Sequence, residues 1–320
     1  MSQNTLLYAG LKTANYVNLC RDLSWLNSKN HEHTDRDGHV VGYICNVKIH
    51  SDTLQGIGFW SAPNTWKMRN AFRKWHAYRD MMFSDAGVTD SEKGRYGKTI
   101  RPYLDAAMKD SGDIKDPVLW DISGIPPVQT QEWSYTQIAA APGFDQAAVG
   151  TEGAAAVDVY DLNITGINQV ASTTTLGTEY YSAVGMIHSY NQDRQEVVTP
   201  TLDSETIEGH NNPLALLKQG GAVSGGEVMD IVQDQELEAP PYDITDGGLS
   251  TALCPIDIMQ INPGNGGQNA DGTPKALIPT QKSTQIFVPA GLLYITSNVV
   301  ATNASMMIEV VGKVLCKDMA

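Results

Sequence analysis

Apolar residues recur along this chain with two different periods. Between 63 and 87, Met68, Ala71, Phe72, Trp75, Tyr78 and Met82 step by three or four, which is one face of a helix. Pro63 and Asn64 are start signals, with Asn64 as the cap, and Gly87 is the stop. The connector DSEKGRYGK leads to a shorter helix over 102–109, opened by Pro102 and ended by Gly112. Elsewhere the period is two. It predicts strands over 6–11, 40–50, 118–122, 132–139, 156–167, 180–190, 195–199, 227–233, 256–261, 284–288, 292–301 and 305–315. The alternation in 157–164 shifts register near Tyr160, as a bulge would make it do. The runs 6–11 and 40–50 are expected to form a hairpin around the polar NSKNHEHTDRDGH, with Asp37 and Gly38 at the turn. One further helix, over 212–218, lies between Pro213 and Gly220.

Many short strands without regularly interposed helices point to a mainly β protein of antiparallel sandwiches or barrels, not to a parallel sheet. At 320 residues the chain sits near the size where one core stops growing, so one large β-domain and two ordinary ones both fit. No apolar run approaches the roughly 20 residues of a membrane span. The N-terminal MSQNTLLYAGLKTANY lacks the basic flank and long apolar stretch of a secretory signal. Cys20, Cys45, Cys254 and Cys316 have no metal-binding spacing and are too few for a disulfide framework, so reduced thiols are expected.

The net charge of −14 is unevenly distributed. Residues 60–110 hold 10 Lys and Arg against 6 Asp and Glu, whereas residues 111–320 hold 7 against 25. An acidic body repels nucleic acid, whose binding needs Lys and Arg on its phosphates, so direct sequence-specific nucleic-acid binding is not expected. The basic face of the 63–87 helix, Lys67, Arg69, Arg73, Lys74 and Arg79, is better matched to the acidic surface of a neighbouring copy. These five are the candidate subunit-interface residues; the aromatic stripe beside them reads as core.

No nucleophile elbow, phosphate-binding loop or His-Glu-x-x-His motif occurs, so no catalytic residue is assigned and no enzyme is expected. His31 and His33, with Asp35, Asp37 and His39 nearby, have the side chains that zinc takes. Asp243 and Asp246 lie beside Gly247 and Gly248, and the 265–271 loop is also rich in oxygen donors, as calcium loops are. His31, His33, Asp243 and Asp246 are therefore the candidate ligands for a structural cation; solvated loops and turns are the competing reading, and no other cofactor is expected. His188, in an apolar run, reads as a core histidine.

The run PNTWKMRNAFRKWHAYRDMMFSDAGV, followed by YGKTIRPYL, resembles a segment of the major capsid proteins of tailless icosahedral phages, the lipid-containing, single-stranded-DNA type and their relatives. The resemblance covers roughly a tenth of the chain. It implies a double jelly roll, two antiparallel eight-stranded sandwiches side by side. On this chain they would occupy 1–165, with the helical block 63–110 inserted, and 166–320. It further implies a homotrimer forming a pseudo-hexagonal capsomer, and an icosahedral shell of such capsomers over an internal membrane. Its partners would be neighbouring capsomers and other virion proteins such as a vertex protein. The site would be the virion, after synthesis in the host cytoplasm.

Two other readings stand beside this one. A carbohydrate- or surface-binding β-sandwich, such as a phage fibre or adhesin domain, would use Trp120, Trp133, Tyr180 and Tyr181 as its platform. A metal-dependent β-barrel enzyme would use His31, His33 and His39.

Overall fold

The computed structural model describes residues 3–89, 91–94, 99–118, 132–139, 159–172, 179–195, 252–271, 273, 275 and 277–316. The chain opens with β1 (Thr5–Leu11), β2 (Ala14–Asn18), α1 (Leu19–Asn27), β3 (Val41–Ser51) and β4 (Gln55–Ser61). It continues through α2 (Trp66–Asp85), α3 (Ala106–Asp110), β5 (Gln137–Ala139), β6 (Val159–Asn163), β7 (Gln169–Ser172), β8 (Glu179–Gly185) and α4 (Met186–Gln195). It closes with β9 (Cys254–Ile261), β10 (Thr280–Pro289), β11 (Leu292–Ser297) and β12 (Ala301–Leu315). The protein is mainly β, with antiparallel sheets and few helices.

The two ends of the chain are wound together as nested antiparallel pairs. β1 pairs with β12, β2 with β11, β3 with β10 and β4 with β9. The outermost pair sets Thr5 opposite Glu309, and the innermost sets Ser61 opposite Cys254. Further pairing of β12 with β3 and of β11 with β4 joins them into two sheets, β1-β12-β3-β10 and β2-β11-β4-β9. Alternation then fills the space between the sheets. Tyr43, Cys45, Val47 and Ile49 of β3 face Ile57 and Phe59 of β4 and Leu293 and Ile295 of β11, with Met306, Ile308 and Val310 of β12 beside them. All of these are buried, whereas the intervening Asn46 and Lys48 are only half-buried.

The expected hairpin between the first two long runs does not form: β12 lies between β1 and β3. β12 is 15 residues long, and its inward side chains fill the middle of the sandwich, so it outcompetes a local pairing. Asp37 and Gly38 do make a turn, closed by Asp35 N–H donating to the His39 carbonyl at 2.8 Å, with Gly38 at φ +81°. Residue 165 falls within the insertion between β4 and β9, and both sheets draw strands from either side of it.

The insertion has its own sheet, β5-β6-β8-β7, in which β6 and β8 run parallel. α2 follows the expected stripe, burying Met68, Ala71, Phe72, Trp75 and Tyr78. Its cap is Thr65, whose hydroxyl accepts from Met68 N–H, rather than Asn64; Gly87 ends it with φ +75°. The stripe joins Leu104, Met108, Tyr160, Leu162, Ile164, Val184 and Ile187 in a second core. That core also takes in Tyr16, Ala62 and Leu292, so the insertion rests on the outer face of the β2-β11-β4-β9 sheet.

The run expected as one strand over 180–190 is a strand to Gly185 and then a helix. Gly185 packs so closely on Gly166 that an added Cβ would lie 2.2 Å from the Gly166 carbonyl oxygen. Met186, Ile187 and Tyr190 then repeat with helical spacing, and His188 is buried on the helix. The expected elements at 212–218 and 227–233 lie outside the described residues, as does most of 118–122 and of 195–199, whose first residue, Gln195, ends α4. No helix among the described residues is long and apolar enough to cross a membrane.

Candidate functional site

The five basic side chains singled out on α2 do not form one face. Lys67 is 2% exposed, on the same side as Ala71 and Trp75. The Arg79 guanidinium donates to the Thr99 carbonyl and lies over the Phe83 ring. Burial, with the Arg101 charge nearby, lowers its pKa. Lys74 lies 5.7 Å from the Tyr190 ring centroid. Arg73 is exposed and Arg69 half-buried, so these two carry the outward charge. Helical spacing alone could not separate them, because the buried arc is wide enough to take in Lys67.

The histidine loop is structural in a way its polarity concealed. Thr34 and Val40 form an antiparallel bridge, and the Asp35 carboxylate accepts the N–H groups of Asp37 and His39 at 3.0 and 2.8 Å. The loop packs on α2: Thr34 Oγ1 is 3.1 Å from His76 Nε2, and a Cβ on Gly38 would lie 2.9 Å from the His76 side chain. His33 Nδ1 donates to the Ala290 carbonyl at 2.6 Å, and the ring is fully buried edge-on to Trp133. His31 points elsewhere, its Nδ1 accepting from Lys313 Nζ at 2.6 Å. Burial pushes both imidazoles down to about 4, with Lys313 adding to the effect at His31 and Arg101 at His33. An ammonium against His31 opposes a cation there. Among the described residues no three His, Cys, Asp or Glu side chains converge as metal ligands. Asp243 and Asp246 lie outside the described residues.

Trp133 is half-buried against the sandwich core, with the Arg101 guanidinium 4.2 Å from its ring centroid. Tyr135 stacks on Tyr103 at 3.8 Å. These rings fasten the insertion to the sandwich and offer no flat outward face. Trp120 and the side chains of Tyr180 and Tyr181 lie outside what is described. Among the described residues, none of the exposed large apolar side chains is aromatic.

A buried ionic cluster escaped the sequence reading. Asp22 accepts from Tyr8 Oη at 2.6 Å and from Arg21 Nε at 2.8 Å. Arg21 also donates to the Lys115 carbonyl at 2.6 Å, reaches Asp116 at 3.0 Å, and covers the Trp25 ring. Burial raises the Asp22 carboxyl to about 6 despite the guanidinium beside it. The available signal was the Arg-Asp pair inside the amphipathic LCRDLSWL.

That cluster holds a strap. Tyr16 N–H donates to the Asp113 carbonyl, Lys115 N–H to the Tyr16 carbonyl, and Val118 N–H to the Leu7 carbonyl, at 2.9, 2.8 and 2.7 Å. The segment 113–118 therefore covers β1 and β2, the outer strands on one side of the sandwich. On the other side the outer strands are β9 and β10, with Ile258 77% exposed and Leu277 and Ile278 exposed on the connecting loop. Among the described residues no strand pairs with the outer sides of β9 and β10, and an edge with apolar neighbours is a site where another chain can add.

No protein-family model, curated protein or solved structure matches this chain.

Proposed function

We propose that the chain is a viral major capsid protein, a structural building block whose copies join into trimeric pseudo-hexagonal capsomers that tile an icosahedral shell. The observation that carries this reading is the nested order of the eight sandwich strands, with β1-β12-β3-β10 facing β2-β11-β4-β9. Folding a long antiparallel ribbon into two sheets in this way is the jelly-roll arrangement, which viral capsid domains use and lectins and cupins share. The resemblance of the α2 segment to capsid proteins of tailless phages favours the capsid use of it. Of the two sides of the roll, one is closed by the strap and the other presents β9 and β10. A shell protein needs such asymmetry, because neighbours must meet it in a fixed direction through contacts of modest area.

The roll in this proposal is the one built from both ends of the chain. The second roll of a double-roll protein would have to come from the insertion, whose described sheet includes the parallel β6·β8 pair. The trimer, a vertex protein as partner and a membrane beneath the shell belong to the proposal through the resemblance alone. So does residence in the virion after synthesis in the host cytoplasm. The carbohydrate-binding reading loses its main support, because the one platform ring that is described, Trp133, is packed against the sandwich core.

Light scattering coupled to size exclusion, followed by negative-stain microscopy, tests the proposal. Trimers and larger curved arrays are expected as concentration rises. A monomer that persists at millimolar concentration and forms no arrays would falsify it.

A further inference from the structure

A cleft of about 480 Å³ opens where the histidine loop, the start of β3 and the end of β12 meet, and His31, Thr34, Tyr43, Lys93, Thr99 and Lys313 are among its walls. Lys313 is exposed in it, and its ammonium is held in place: Nζ donates to His31 Nδ1 at 2.6 Å and lies 4.8 Å from the Tyr43 ring centroid. Neither contact brings a negative charge, and Lys313 forms no ion pair with a carboxylate among the described residues. Because His31 Nδ1 accepts, its proton sits on Nε2, and that N–H has no partner. The Thr99 hydroxyl, in the same wall, has none either. An oriented ammonium with no carboxylate partner is a ready anchor for an anion. The acidic side chains at the rim are already directed into their own loop. Asp35 takes two backbone N–H groups, and Glu32 accepts from Asn30.

We infer that this cleft binds an anionic group, a phosphate or a carboxylate, with the Lys313 ammonium as its anchor and the His31 ring, bonded to that ammonium, as the neighbour that senses it. The chemistry is shared by two sources, a free anion and an acidic side chain of a second copy. The site stands independently of the shell reading.

Calorimetric titration of the whole 320-residue chain with inorganic phosphate, and separately with acetate, is the first arm. The expected result is one anion per chain. Lys313→Met weakens it about tenfold or more, the loss of one charge-assisted hydrogen bond, while Lys313→Arg retains most of it. The His31 ring resonances of the unaltered protein should shift during the same titration, a readout that needs no variant. Sedimentation of the three proteins is the second arm. If free anions do not bind but Lys313→Met loses self-association that Lys313→Arg keeps, the anion is a carboxylate of another copy. The inference is overturned if Lys313→Met binds phosphate as the unaltered protein does. It is also overturned if neither anion binds, the His31 resonances stay fixed and all three proteins sediment alike.

Discussion

Burying His31, His33 and Asp22 ties the stability of this protein to pH in opposing directions. The folded state keeps the two imidazoles neutral down to about pH 4, whereas in the unfolded chain they take up protons near 6.5. Between those values the unfolded state holds more protons, so their contribution is present above pH 6.5 and is lost as pH falls through 4. His76 is also lowered and acts in the same direction. Asp22, raised to about 6, works the other way, gaining stability as pH falls through 6, and so does Asp105, whose carboxyl burial also raises. Between about pH 6 and 4, the imidazoles of His31 and His33 against the one carboxyl of Asp22 leave a net loss on acidification, on the order of 1 kcal/mol per pH unit. Urea unfolding at pH 7 and pH 5 should show it. His33→Asn keeps a donor for the Ala290 carbonyl but cannot titrate, so it should flatten the profile; an unchanged slope would contradict the assignment. The Arg21 pair makes a sharper test. Arg21→Met strands a buried carboxylate and is expected to cost about 3–5 kcal/mol at pH 7, less at pH 5 where Asp22 is protonated. Equal losses at the two pH values would mean that Asp22 is not the cause. None of this was legible in composition. A histidine-rich polar loop reads as solvated until its backbone partners are known, and the Arg21–Asp22 adjacency gains meaning only when Tyr8 and Lys115 arrive from elsewhere.

The elements divide by how local their causes are. α2 was readable to within a turn because its stripe, start and stop are all written in sequence, and only the identity of the cap was mistaken. Thr65→Ala is therefore expected to cost about 1 kcal/mol, and Asn64→Ala only a few tenths, in thermal unfolding. The reverse order would restore Asn64 as the cap. β3, β10 and β12 were readable from their alternation. α1 and β2 were not, being short and adjoining with no glycine or proline between them. β4 was obscured by Gly56 and Gly58, which weaken a strand pattern; an added Cβ on Gly58 would sit 2.7 Å from Thr296 Oγ1. The strand that becomes α4 was misread because period two and period 3.6 agree over a few residues. Only the close approach at Gly185 decides where one stops. Of the candidate site, sequence could find the basic residues of α2 but could not sort them, since only packing separates buried Lys67 from exposed Arg73.

At the scale of the molecule the nested pairing makes the two termini one structural unit. β12 lies between β1 and β3, so its removal leaves β1 without a sheet neighbour and β3 paired only with β10, although Leu6 and Ile308 are separated by the whole insertion. Pairing of this kind has high contact order, because loop closure must precede the contacts that reward it. Folding is then expected to be slow, and the insertion, whose core is built from nearer neighbours, is expected to gain protection first. Deleting residues 301–320 should therefore abolish the near-ultraviolet circular dichroism of the sandwich aromatics, and deleting residues 1–11 should do nearly the same. In hydrogen exchange the slowest amides should lie in β3 and β12, which are flanked by strands on both sides, and faster ones in β9 and β10, the last strands of their sheets among the described residues. If either truncated chain kept the native spectrum, the ends would not be interleaved. The strand order on which the shell proposal rests would then be lost, whatever the protein's state of association.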